Sequence, residues 1–268
     1  MSDYECLLVE DKGDGVVLFT INRPQKKNAL NATVVRELQH AFIAFDEDPH
    51  TRVAVLTGAG NDAFSAGADL HEFPELWRSI PTVGFQTDKP IIGAVSGWCI
   101  GGALVLAMMT DLLVASETAK FNYPEAKVGF TGGIIAGLAG RMPHHAAMDL
   151  ILLCRTLEAR RAYDLGFVNE VTPVGEQVNV ALQMAHELAK MSPMVLATLK
   201  RFVNTEVLKS GPSEQMARTL RQLKDLEESS AYREGMTAFK EKRQPVYTGK
   251  SGGEESRAMG GRRDPVIR

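Results

Sequence analysis

Residues 89–133, KPIIGAVSGWCIGGALVLAMMTDLLVASETAKFNYPEAKVGFTGG, constrain the fold of this chain more than any other stretch. Ile91–Val95 is continuous, apolar and rich in β-branched residues, as a strand covered on both faces should be. Ser96, Gly97, Gly101 and Gly102 interrupt it, and residues 103–109 then read as a short buried helix. A second apolar strand follows, and after it comes the carboxylate of Glu125. The N–H groups of a first helical turn have no intrahelical partner and carry partial positive charge. With Gly101 and Gly102 at that turn no side chain shields those donors, so a ligand oxygen can approach them. Half of an oxyanion hole can be built this way.

A candidate second half lies upstream. Residues 53–57 read as a buried strand, followed by GAGNDAFSAGADLHEF at 58–73. Gly67 and Ala68 are again small residues, placed at what reads as a loop-to-helix junction with Asp69 as N-cap. Two such starts can converge on one carbonyl oxygen, although glycine-rich turns are more often only turns.

Other motifs exclude competing chemistries. GAGNDA at 58–63 mimics a dinucleotide fingerprint, but Asn61, Asp62 and Gly67 argue against the helix that must open there. The sequence has no GxSxG elbow around Ser65 or Ser96 and no GxxxxGK[ST] loop. His144 and His145 lack an accompanying HExxH or carboxylate pattern and read as a surface pair at a helix start, so no metal site is assigned. Glu125 follows Pro124, which on its own suggests an acid in the first turn of a helix, favoured by the dipole.

A net charge of −3 gives no electrostatic reason to expect nucleic acid. The three cysteines, Cys6, Cys99 and Cys154, are far apart, so neither a disulfide framework nor a CxxC metal site follows. That usage favours a reducing compartment, and the expected location is the cytoplasm. The N-terminal MSDYECLLVEDKGDG shows no cationic stretch leading into an apolar run, so no signal peptide is expected. Residues 90–110 lack charges over a bilayer-spanning length, but they divide into strand-like and helix-like halves around Ser96-Gly97. No membrane association is expected.

Along the 268 residues, 16–22 read as a strand and 31–46 as an amphipathic helix presenting Val34, Val35, Leu38, Phe42 and Phe45. Strand–helix alternation to about residue 172 predicts an α/β core. Helices are predicted at 176–190, 193–209, 213–228 and 232–243. The expected division is a core over 1–190, a helical region over 191–247, and a flexible glycine- and charge-rich tail over 248–268.

Three motifs, SAGADL at 65–70, KPIIGAVSGWCIGGALVLAMMTD at 89–111 and FNYPEAKVG at 121–129, resemble the enoyl-CoA hydratase/isomerase (crotonase) superfamily. The resemblance runs from NRPQKKNAL at 22–30 to AFKEKR at 238–243. It implies a spiral of ββα units with a C-terminal helical subdomain, assembled as a homotrimer or hexamer. It also implies an acyl-CoA thioester whose carbonyl oxygen is held by the N–H groups of Ala68 and Gly102, with Ala66, Asp69, Leu70, Val105 and Gly133 around the substrate. Lys26 and Lys27 would border the CoA channel. Phe239 and Lys242 would reach the adenine and phosphate of CoA in a neighbouring subunit. No cofactor is expected, since coenzyme A is part of the substrate.

One departure bears on the chemistry. Hydratases of the family carry two glutamates, of which Glu125 matches the second; the first would stand at Val105, which can neither accept a proton nor orient water. A single carboxylate beside an oxyanion hole suits abstraction of a proton α to a thioester and its return two carbons away. The expected function is therefore an isomerase-like enzyme or a variant hydratase with Glu125 as sole acid/base. A non-catalytic homologue that binds CoA thioesters or partners is the alternative.

Overall fold

A glycine between two short strands sets the architecture. The computed structural model describes residues 4–208 and 210–247; the tail expected over 248–268 lies outside the described residues. The first elements are β1 (Leu7–Asp11), β2 (Val16–Ile21), α1 (Ala32–Glu47), β3 (Val53–Gly58), β4 (Ala63–Ser65), β5 (Ile91–Val95) and β6 (Trp98–Ile100). They lead into α2 (Gly102–Met108), β7 (Leu112–Ser116), β8 (Lys120–Asn122), α3 (Glu125–Val128), α4 (His144–Leu152), β9 (Leu157–Glu158), α5 (Ala159–Asp164) and β10 (Glu170–Thr172). Four helices follow: α6 (Gln177–Ala189), α7 (Pro193–Phe202), α8 (Pro212–Glu227) and α9 (Ser230–Glu241).

Strands alternate between two sheets. One runs β1-β2-β3-β5-β7-β10, parallel except for the β1–β2 pair; the other runs β4-β6-β8-β9, parallel except for β8–β9. Each pair β3–β4, β5–β6 and β7–β8 gives one strand to each sheet, the repeated ββα winding that the resemblance implies. Gly97 makes the change of sheet possible between β5 and β6. It sits at φ 60°, and a Cβ there would lie 2.1 Å from the Asp62 carbonyl oxygen, so no other residue fits.

The larger sheet is buried on both faces, which explains why β3 and β5 lack polar alternation. Val53, Val55, Ile92, Ala94 and Val114 turn toward α6, whose Ala181, Ala185 and Ala189 recur every four residues and let the helix lie close. Ala54, Leu56, Ile91 and Val95 face the other way, into the core shared with α1 and α2. On α1 the five predicted core residues are all buried, and Phe42 stacks between Phe19 and Phe85 at 4.5 Å to each. Each such buried side chain stabilises the fold by roughly 1.5–3 kcal/mol.

Two expectations change. No helix starts at Gly67–Ala68: Asp69 caps nothing, and the chain stays irregular until the 3₁₀ turn Leu76–Ser79. Asp69 instead accepts the His71 N–H at 3.2 Å in a local turn and is held by Arg23 at 3.2 Å, a partner 46 residues away that local pattern does not show. The helix predicted over 193–209 is α-helical only to Phe202 and passes into a wider π-turn at Val203–Val207, with Lys209 outside the described residues. The helix predicted over 176–190 spans Gln177–Ala189 and packs on the sheet, within the core expected over 1–190. Among the described residues no helix is long and apolar enough to cross a membrane.

Candidate active site

The site grows from two backbone segments pressed together. After β4, residue Ala68 forms a parallel bridge with Leu30: the Leu30 N–H donates to Gly67 O at 2.8 Å and the Asp69 N–H to Leu30 O at 2.9 Å. In extended backbone neighbouring residues point their polar groups to opposite sides, so the Ala68 N–H faces away from Leu30. Gly67, at φ 85°, packs so closely on the second segment that a Cβ there would lie 2.5 Å from Ile100 O and 3.5 Å from Gly102 N. The bridged strand therefore lies against the start of α2. Gly102 opens that helix, where an N–H has no intrahelical acceptor, while the preceding Gly101 N–H is committed to Asn122 O at 2.9 Å. Ala68 thus presents its donor from extended backbone and Gly102 from a helix start.

A third segment brings the carboxylate. Gly101 stands at φ 57°, ψ −118°, a conformation reserved for glycine, and a Cβ at this position would meet Glu125 Oε1 at 2.6 Å. The Glu125 carboxylate thus lies over the Gly101 backbone, one residue from the Gly102 donor. Its Oε2 is the one buried side-chain oxygen or nitrogen without a hydrogen-bond partner among the described residues. Burial pushes Glu125 up to about 7, with its own backbone N–H only partly opposing. Desolvation therefore outweighs any dipole stabilisation in the four-residue α3. A carboxyl group poised near neutrality can both take and give a proton.

Val105 lies one helical turn beyond Gly101 and on the same face, buried to 7% exposure, with its N–H bonded to Gly101 O at 3.2 Å. An apolar side chain therefore occupies the face of α2 nearest the carboxylate.

The remaining sequence-expected residues fall into four groups. Lys26 and Lys27 are exposed on the loop after β2, and Lys27 O accepts the Ala66 N–H at 2.9 Å, tying that loop to the Ala68 segment. Asp69 and the exposed Leu70 continue the segment; despite its desolvation, the His71 N–H and Arg23 hold the Asp69 carboxyl below the usual range. Gly133 lies against α8, where a Cβ would strike Ser213 Oγ, and its N–H joins the hydroxyl of Thr131 that also pairs with Tyr123. Phe239 and Lys242 sit at the end of α9, which packs on α8; the Phe239 ring is 81% exposed.

Sequence reasoning missed the residues that hold the site in shape. Asn28, buried with φ 54°, accepts the Arg23 N–H and donates to Ala59 O and Ala63 O at 3.0 and 2.8 Å, locking the lysine loop onto β4. Leu76 packs over Gly102, 2.9 Å from where a Cβ would be. An asparagine between Lys27 and Ala29 carries no local signal for that role. Across the site, Phe73 and Phe130 meet edge to face at 5.2 Å, joining the segment after Ala68 to the one after α3.

Comparisons with known proteins identify a family. The family model for enoyl-CoA hydratase/isomerase matches residues 11–250. A probable enoyl-CoA hydratase of Rhizobium meliloti is 38% identical over 263 residues, covering 91% of this chain and 98% of the relative. One from Mycobacterium tuberculosis is 35% identical over 260 residues with the same coverage. The crystal structure of a carnitinyl-CoA hydratase from Mycobacterium avium superimposes with a TM-score of 0.72 at 34% identity, over 92% of this chain and 99% of that one. By matched length, identity and fold, the chain belongs to the enoyl-CoA hydratase/isomerase family.

Proposed function

We propose that this protein is an enzyme acting on an acyl-CoA thioester through an enolate, with Glu125 as its single acid/base. The observation that carries the reading is the buried, unpartnered Oε2 of Glu125, beside an α2 start whose glycines leave the backbone N–H open. The thioester carbonyl oxygen accepts from the N–H groups of Ala68 and Gly102. Glu125 removes a proton from the α-carbon, and the C–H electrons pass to that oxygen as it becomes an enolate. Each donor contributes ~3 kcal/mol to lowering the barrier. With a 3-enoyl substrate, Glu125 returns the proton to the carbon two positions along and leaves the double bond at position 2. With a 3-hydroxyacyl substrate it passes the proton to the departing hydroxyl, leaving a 2-enoyl thioester and water. Relatives named as hydratases support the second outcome; Val105 in place of a second carboxylate supports the first.

Coenzyme A enters as part of the substrate, with Lys26 and Lys27 bordering its phosphates. Ala66, Asp69, Leu70, Val105 and Gly133 flank the acyl side. Assembly is as a homotrimer or hexamer, through residues 191–247, with Phe239 and Lys242 offered to the CoA of a second copy. The apolar side chains exposed on α7 and α8, among them Met194, Leu199, Met216 and Leu223, support an interface there. The working compartment is the cytoplasm.

The test is a panel of 2-enoyl-, 3-enoyl- and 3-hydroxyacyl-CoA substrates followed by mass spectrometry, with wild type and Glu125→Gln in parallel. Turnover that falls at least ~10²-fold in the variant supports the reading. CoA-thioester binding with no turnover in wild type would make the chain a binding homologue.

A further inference from the structure

A cavity of about 680 Å³ opens at the C-terminal end of α2, where Met108 and Met109 meet the start of β7, the 3₁₀ turn Ile134–Gly140, the π-turn Val203–Val207 and the first turns of α8. Neither Ala68, Gly102 nor Glu125 lines it. Its volume falls within the ~300–1,000 Å³ of small-molecule sites. Much of the wall is apolar, from Met108, Leu113, Phe167, Val203 and Val207.

The wall holds two acids and two arginines, but they do not all pair with one another. Asp111 has its own cation, with Oδ2 accepting from Lys200 Nζ and the Ile91 N–H, both at 2.7 Å. Glu214 is likewise paired with Arg218 at 2.7 Å, and Arg218 also donates to Thr82 O at 3.0 Å. Arg141 is left over. One of its terminal nitrogens donates to Gly137 O at 3.0 Å and the other to the Met109 thioether at 3.2 Å, a weak acceptor. Among the described residues it joins no ion pair, and Asp111 and Glu214 act on it only through space. A guanidinium carries five N–H donors and keeps its charge in proteins, so a half-buried one wants a carboxylate.

We propose that this cavity is a second ligand site, taking a carboxylate carried on an apolar body, with Arg141 as the counterion. Planar, two-pronged recognition of a carboxylate is what an arginine does better than a lysine. The methionine, leucine and valine wall takes the hydrocarbon part. The site is distinct from the thioester-binding backbone at the other end of α2, so the two ligands are bound independently.

Isothermal titration of the full chain with octanoate tests this, with octan-1-ol as the uncharged probe and saturating coenzyme A as the competitor. Octanoate is expected to bind wild type, Arg141→Met to weaken it by at least ~10-fold, and Arg141→Lys to fall between. Octan-1-ol is expected to bind much more weakly, and coenzyme A to leave octanoate binding unchanged. Absence of octanoate binding, equal binding by Arg141→Met, or octan-1-ol binding as tightly as octanoate would overturn the proposal. Displacement by coenzyme A would also overturn it, by placing octanoate at the thioester site. If Arg141→Met fails to fold, the octan-1-ol and coenzyme A arms on wild type decide alone.

Discussion

Gly101 lies directly beneath Glu125: a Cβ added to the glycine would stand 2.6 Å from the carboxylate oxygen Oε1. The backbone of one residue is thereby the floor of the other's pocket. Gly101→Ala must both adopt φ near 57° and push the carboxylate away. The expected result is a loss of ~1–3 kcal/mol in stability from the strained backbone. A fall in kcat of about 10²-fold should accompany it. Thermal melting and steady-state kinetics check the two separately.

The same burial makes the fold sensitive to pH. Glu125 is raised to about 7 in the folded chain against an ordinary value of 4.5, so the native state binds more protons than the unfolded one between those limits. Stability should therefore decline as pH rises from 4.5 toward 7 and level off above, by ~1–3 kcal/mol in all. Glu125→Gln should flatten this dependence and be the more stable protein at pH 8. Denaturant unfolding across the range reads it directly, and an unchanged slope in the variant would contradict the assignment.

Gly102→Val should suppress catalysis without unfolding the chain. The added carbon meets Leu76, whose Cδ1 lies 2.9 Å away and can turn aside, while the new side chain crowds the approach to the N–H. A drop in kcat/KM of ~10²–10³-fold, with circular dichroism unchanged, is the expected pattern.

Val105→Glu places a second carboxylate on the face of α2 that carries Gly101. Hydration of 2-enoyl-CoA should rise relative to isomerisation of 3-enoyl-CoA. Burying the new charge at a position 7% exposed should raise its pKa and cost ~1–3 kcal/mol. Parallel assays on the two substrates check the ratio. Wild type that already hydrates crotonyl-CoA at a rate ordinary for enzymes would refute the single-base argument.

Light scattering should return the mass of three or six copies. Phe239→Glu, at a ring 81% exposed, should weaken CoA affinity if that ring reaches the nucleotide of a second copy. A monomer with full CoA affinity would remove the proposed role of α9.

Much of this could be read in advance where one element carries its own signal. Helix α1 was legible to within a residue: Asn31 accepts the Val34 N–H at 3.0 Å as its cap, and the apolar stripe behind it is buried. The three-residue strands β4 and β6 were not, because so short a run has no period to detect. Asp69 was misread as a helix cap since its real partner, Arg23, is 46 residues away. For the site, the glycines at 101 and 102 marked the exposed donors, and the motif around Glu125 marked the acid. That one oxygen of this acid is buried and unpartnered goes with a close approach between segments 24 residues apart, Gly101 and Glu125, which spacing along the chain cannot reveal.

The connection between β4 and β5 has a different kind of consequence. Its first part carries Ala68, bridged to Leu30, and its last part buries Ile80, Val83 and Phe85 in the core, while the stretch between them, 70–79, holds the 3₁₀ turn Leu76–Ser79. Lengthening such a span is cheap, about 0.6 kcal/mol for each doubling, because closure entropy grows only with the logarithm of length. This stretch, which seats Leu76 against Gly102 and Phe73 against Phe130, can accordingly be recut without shifting a rung of either sheet. The coil acts as a chassis and this span as an interchangeable fitting, so new acyl groups can be accommodated by variation that leaves the reactive atoms where they stand.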